Sequence, residues 1–166
     1  MSDLVDGQLE AIDFAVAAYR EEGEWEVEEI THNHLESVET FADALRRLPG
    51  ESDVLGLASV AEDFFVLVRT HGSRTRVLLS DVTAAAEWDL AASVLELLGL
   101  PDADPDEDDP VPVGDLDIVA DLGMPADELE AMLDDEDLLP DEMPSEIADA
   151  AGFGEEFDDA IGFGED

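Results

Sequence analysis

The chain has 166 residues, of which 47 are Asp or Glu against six Arg and no Lys, for a net charge of −41. That length supports one real core, read as a domain of roughly 100 residues with an extension, and a hydrophobic content of 45% excludes a wholly disordered chain. The charge argues against direct binding to bare nucleic acid, where phosphate contacts need a basic patch, and the lack of cysteine excludes disulfides, thiolate nucleophiles and Cys-ligated zinc.

The N-terminus, MSDLVDGQLE, has neither a basic nor an apolar signal-peptide region. No apolar run approaches the ~20 residues that span a bilayer. A cytoplasmic protein without a membrane partner is the expectation. Next, Ile12, Phe14, Val16 and Ala18 alternate with their neighbours at a period of two, which predicts a strand. Leu9, Ile12, Val16 and Tyr19 fit a helical stripe as well. After the Arg20–Glu24 loop, the alternation of Trp25, Glu26 and Val27 fits the return strand of a hairpin. Ser37 can cap a helix whose apolar positions Val38, Phe41, Ala42, Leu45 and Leu48 share one face, with Pro49 and Gly50 as its stop.

The stretch Asp53–Asp81 (DVLGLASVAEDFFVLVRTHGSRTRVLLSD) is the centre of the chain. Its apolar runs Val54–Val60, Phe64–Val68 and Val77–Leu79 are broken by turn residues and predict a three-strand antiparallel meander. Gly72-Ser73 suits a tight hairpin. Runs apolar at nearly every position imply that both faces of these strands are covered. The stretch also holds Arg69, Arg74 and Arg76, half of the cationic residues.

Asp81 or Thr83 can cap a second helix, with Trp88, Ala91, Ala92, Leu95 and Leu98 as its inward stripe and Gly99 as its stop. The fold class expected is α+β: a mainly antiparallel sheet of about five strands with two packed helices over residues 10–100. Residues 101–112 (PDADPDEDDPVP) read as an acidic, Pro-rich, extended linker. Residues 113–166 read as an acidic, mainly helical extension. In it Leu116–Ala120 suggests a short strand, Pro125 opens a helix carrying Leu129, Met132 and Leu133, and a further helix runs from Pro144 or Ser145 to about Ala151. The motif GFGEE at 152–156 recurs as GFGED at 162–166; two short copies do not make a repeat fold. Phe153, Phe157, Ile161 and Phe163 read instead as apolar anchors.

Candidate sites fail on their chemistry. His34-Leu35-Glu36 matches half of a zinc-deaminase signature whose other half needs cysteines. His32 and His34 stand close enough to share a metal, without a regular zinc spacing. His71 falls at a hairpin turn and reads as exposed. Asp102, Asp104 and Asp106 resemble the opening of a calcium loop, but Glu107 and Val113 occupy the places that need Gly and Glu. Asp134–Asp137 is a charged helix end or loop, because Leu138 occupies the next ligand place. Arg46 and Arg47 suit the C-terminal end of a helix dipole. No P-loop, dinucleotide fingerprint or nucleophile elbow occurs. The expectation is therefore no catalytic residues, no metal site and no cofactor.

Residues 14–20 (FAVAAYR) with Trp25–Val27, Pro49–Val66 with LGLASVAEDFFV, and Leu78–Trp88 (LLSDVTAAAEW) form an ordered series. It continues through the acidic linker, Gly114–Gly123 (GDLDIVADLG) and Leu139–Gly154, with LPDEM and the GFGEEF run. The series resembles the actinobacterial tRNA adenosine deaminase-associated proteins. The resemblance implies a non-catalytic accessory protein or partner in tRNA editing, and it brings no catalytic residues.

Residues 77–166 carry 30 carboxylates and no cationic side chain. A basic protein partner is the electrostatic complement of such a segment, and with the resemblance that partner is expected to be tRNA adenosine deaminase. The alternative is a stand-alone enzyme or small-ligand domain built from carboxylates and histidine, which a deep cleft with converging His and Asp or Glu would favour. Like charge within 77–166 also predicts greater stability in salt and on mild acidification toward about pH 5, where Asp and Glu begin to protonate.

Overall fold

The computed structural model describes residues 12–21, 23–30, 37–47, 54–60, 64–71, 74–86, 88–99, 112–135 and 143–161. The His32–Glu36 segment, the Pro49-Gly50 stop, the Gly72-Ser73 turn, the acidic linker short of Pro112, Glu136-Asp137 and the last GFGED lie outside the described residues.

Six strands form one antiparallel sheet in the order β2-β1-β3-β4-β5-β6. They are β1 (Ile12–Glu21), β2 (Glu24–Glu29), β3 (Val54–Val60), β4 (Phe64–His71), β5 (Arg74–Leu79) and β6 (Val113–Gly114). At the N-terminus the period of two prevails over the helical stripe, and β1 and β2 make the expected hairpin, with Arg20 opposite Trp25. The meander is as predicted. Every residue of β3, and of β4 as far as Thr70, is buried, so these strands are covered on both faces.

One face is covered by α1 (Val38–Arg46) and α2 (Asp89–Leu98), which pack Phe41, Leu45, Leu90 and Val94 against Ala58, Phe64, Val66 and Val68. Helix α1 begins where expected. Ser37 Oγ accepts from Thr40 N–H at 3.2 Å, and Thr40 Oγ1 accepts from Ser37 N–H at 3.2 Å, a reciprocal capping box. The two helices are tied by Val38 N–H, which donates to Ser93 Oγ at 2.7 Å. Gly56 lets α1 lie close on β3: a Cβ there would stand 2.6 Å from Phe41 Cζ and 2.9 Å from Leu45 Cδ1.

The other face is covered by the C-terminal segment, with α3 (Ala126–Leu133), α4 (Met143–Ala151) and α5 (Gly154–Ile161). Ile118, Leu129, Ile147, Phe153 and Phe157 form a core with Leu55, Leu57, Phe65, Leu67 and Leu78 of the sheet. Alternation along each strand therefore feeds two separate apolar layers, and both contain fully buried phenylalanines.

Three local expectations are corrected. The helix read from Asp81 or Thr83 is a 3₁₀ turn over Val82–Ala86, and α2 starts only at Asp89. The Trp88 ring packs on Phe64 with centroids 6.0 Å apart, and Trp88 itself is extended at φ −118°, which interrupts the helix. Of its stripe, Ala91 and Leu95 are buried while Leu98 is exposed; Gly99 ends the helix in the left-handed conformation, as expected. Leu116–Ala120 is turn and 3₁₀ structure, and the strand lies just before it at Val113–Gly114. There Asp115 Oδ1 accepts from Asp117 N–H at 2.9 Å, an Asx-type turn that bends the chain out of extension. Lastly, Pro125 is the N-cap of α3 rather than its first residue.

Candidate functional site

Four of the six arginines, Arg20, Arg69, Arg74 and Arg76, gather at one end of the sheet. Strand register sets Arg69 opposite Arg76 and His71 opposite Arg74 across β4 and β5. Alternation points these side chains, with Arg20 of β1, to the face that carries the C-terminal layer. Cations directly opposite one another repel, and two carboxylates from the C-terminal segment enter to relieve this. Arg69 Nη1 and Nη2 donate to Asp121 Oδ1 and Oδ2 at 2.6 and 2.8 Å, and Nη1 also donates to the Ile118 carbonyl at 2.7 Å. Arg76 Nε donates to Asp115 Oδ2 at 2.6 Å.

These bonds set the electrostatics. The Arg76 hydrogen bond holds the Asp115 carboxyl below the ordinary carboxylate range, against a smaller upward push from burial. The Arg69 bond does the same for Asp121, again with burial opposing it. Arg69 is only 6% exposed whereas the Asp121 side chain is 64% exposed. The guanidinium is thus built into the fold, and the carboxylate reaches it from the water side.

Two hollows adjoin this end, and Arg69 lines both. One, of about 230 Å³, is bounded by Arg20, Trp25, Arg69 and Asp121. There the Arg20 guanidinium lies 4.8 Å from the Trp25 ring centroid, and Trp25 in turn packs on Phe153 at 4.7 Å. The other, of about 490 Å³, is bounded by Arg69, His71, Arg74, Arg76 and Asp115. His71 and Arg74 are exposed at its rim.

His71 is exposed at the end of β4, as expected, but it lies beside three arginines rather than in isolation. Arg46 pairs with Asp43 at 3.4 Å and donates to Thr75 Oγ1 across to β5, and Arg47 is the C-cap of α1. His32, His34, Asp102, Asp104 and Asp106 lie outside the described residues. Asp134 and Asp135 are exposed after α3. Among the described residues no three His, Asp or Glu side chains come together to hold a metal ion, and no helix is long and apolar enough to cross a membrane. Sequence reasoning missed the gathering of Arg20 with the β4–β5 arginines. The i, i+2 spacing of Arg74 and Arg76 marks one face, but the pairing of β1 with β3 is what brings Arg20 to the same end.

These features define an α+β protein whose antiparallel sheet is closed by helices on both faces and four of whose six arginines stand at one rim. Comparison with known proteins narrows that class. The chain belongs to the Rv3753c-like tRNA adenosine deaminase-associated protein family, whose model matches residues 13–154. It is similar to Protein Rv3753c of Mycobacterium tuberculosis, with 39% identity over 150 residues that cover 89% of this chain and 87% of that one. No solved structure matches it. The resemblance carried by FAVAAYR, LGLASVAEDFFV and GDLDIVADLG is thereby borne out.

Proposed function

We propose that this protein is an acidic, non-catalytic accessory factor that binds tRNA adenosine deaminase and modulates its access to RNA. The observation that carries this reading is the charge of the C-terminal layer. Residues 77–166, which supply all of the helices on the second face, hold 30 carboxylates and no cation. Exposed positions of α3 to α5, among them Glu128, Glu130, Glu146, Asp149, Glu155 and Glu156, put that charge at the surface. An enzyme that acts on tRNA must present a basic surface to phosphates, and such a surface complements this one. Family membership supplies the choice of enzyme. The complex shields the basic surface until tRNA competes for it, and the protein works in the cytoplasm.

Co-purification of the full chain with the host's tRNA adenosine deaminase tests this. A complex at about 50 mM salt that dissociates toward about 500 mM, and that tRNA displaces, is the expected result, because screening shortens the reach of surface charge. No complex at low salt overturns the reading. Persistence of the complex at high salt would replace the electrostatic account with an apolar interface.

A further inference from the structure

We propose that the hollow between β4, β5 and the Asp115 turn is a binding site for a small phosphorylated molecule, whose phosphoryl oxygens are taken up by Arg74 and Arg76 beside His71. This goes beyond the accessory role and does not rest on it.

The six cations of the chain are all arginine. A guanidinium offers a planar fork that matches carboxylate or phosphoryl oxygens in pairs, which an ammonium does not, and a phosphoryl group brings more charge and three acceptor oxygens to it. Three of the six line this one hollow. Folding accounts for two of them: Arg69 is tied to Asp121 and Ile118, and Arg76 to Asp115 through Nε. Among the described residues nothing ties Arg74 in the same way. Register sets Arg74 directly across from His71, and no described carboxylate pairs with it. Placing that guanidinium two residues from Arg76 on the same face of β5 raises repulsion that a bound anion would offset.

Size and field decide the class of anion. A volume of about 490 Å³ falls within the range of small-molecule sites. The positive field is local. Beyond roughly 8 Å at physiological salt the arginines are screened, and farther out a polyanion meets a molecule of net charge −41. A nucleic-acid duplex carries one charge per ~1.7 Å of its axis and would extend into that repulsion. A small phosphorylated ligand lies wholly inside the cationic hollow. The neighbouring hollow, with Trp25 and Arg20 across the shared Arg69, leaves room for an attached organic group.

Calorimetric titration of the full chain with sodium pyrophosphate at low ionic strength tests the proposal. Saturable one-to-one binding is expected, tighter than that of citrate, whose carboxylates each offer two oxygens and a single charge where a phosphoryl group offers three oxygens and up to two charges. Arg74→Gln should weaken pyrophosphate binding at least about tenfold, and Arg74→Lys, which keeps the charge and loses the fork, should weaken it by less. Arg47→Gln, which lines neither hollow, should leave it unchanged. Thermal melts of each variant check that the fold is intact, and Arg74 lies exposed at a strand end. The proposal is overturned by no saturable binding, by Arg74→Gln binding as well as the parent, or by citrate binding as tightly as pyrophosphate. It also fails if a short RNA oligonucleotide binds more tightly than pyrophosphate and depends on Arg74, which would make the patch a nucleic-acid contact.

Discussion

Arg69 and Asp121 are 52 residues apart in the chain and face each other with both Nη atoms on both carboxylate oxygens, at 2.6 and 2.8 Å. The pair joins the central strand β4 to the C-terminal layer. It is asymmetric, because the guanidinium is desolvated while the carboxylate stays in contact with water. Removing the carboxylate therefore leaves a buried donor group short of an acceptor, the costlier way to break such a bond.

Asp121→Asn should destabilise the protein by about 1–3 kcal/mol, with the exposure of Asp121 keeping it at the lower end of that range. The sign of the pH dependence follows from the direction of the shift. Asp121 and Asp115 have folded values below their unfolded ones. Their stabilisation is whole above the unfolded carboxylate value of about 3.9 and is lost as pH falls through the folded values beneath it. Urea titrations should show the Asp121→Asn gap constant from pH 7 to about pH 5 and closing below about pH 4. A gap that closed near pH 6 would assign the effect to another group.

Phe65 of β4 and Phe153, between α4 and α5, are both fully buried in the second layer. Each substitution to Ala should cost about 3–5 kcal/mol, a large share of a typical domain's stability. Equal losses in denaturant unfolding would mean that the C-terminal helices are as integral as the central strand. A loss under about 1 kcal/mol at Phe153 would mean that this layer is a detachable cover.

What could be read from the sequence and what could not separate along physical lines. The meander was legible because β3 and β4 are apolar at almost every position, a pattern that only a doubly covered strand needs. The start of α1 was legible because Ser37 supplies its own cap. The start of α2 was not, because the Ala84–Ala86 run favours helix locally, whereas in the fold Trp88 is extended and its ring packs on Phe64, a contact between residues far apart in the chain. The same holds for Leu116–Ala120, whose apolar residues look like a strand until Asp115 turns the chain. The arginine rim depends on register between strands far apart in sequence, so Arg69, Arg74 and Arg76 were visible as a cluster but Arg20 was not.

Two glycines at positive φ separate backbone strain from crowding. Gly99 has φ +75° and nothing within 4 Å of where a Cβ would be, whereas Gly123 has φ +137° and its Cβ would meet the Ala150 carbonyl oxygen. Gly99→Ala should cost about 1–2 kcal/mol, the left-handed penalty alone. Gly123→Ala should cost more, because the backbone penalty of about 1–3 kcal/mol is joined by a clash with main chain that cannot swing away. Guanidinium unfolding of the two variants gives the order, and the reverse order would contradict the close packing of this turn on α4.

Salt should stabilise this protein. Arg46, Arg69 and Arg76 pair with Asp43, Asp121 and Asp115, but the chain has only six cations in all, while residues 77–166 alone carry 30 carboxylates without a cation. Folding brings those carboxylates closer together than they lie in the unfolded chain, so their repulsion opposes the folded state. Raising salt from about 0.01 to 0.1 M shortens the screening length from roughly 30 to 10 Å. That suppresses repulsion between carboxylates many ångströms apart and leaves contacts under 3 Å less affected. Each 1 kcal/mol of relief reads as about 2–4 °C in melting temperature for a chain of this size. Sodium chloride below about 0.3 M is the right titrant, because sulfate would add stabilisation by exclusion from the surface. Melting temperatures should rise with sodium chloride at pH 7, and rise less in a variant with several exposed carboxylates of α3 to α5 changed to Gln or Asn. If they fall instead, the three arginine pairs outweigh the acidic layer, and charge repulsion is not what limits the stability of this fold.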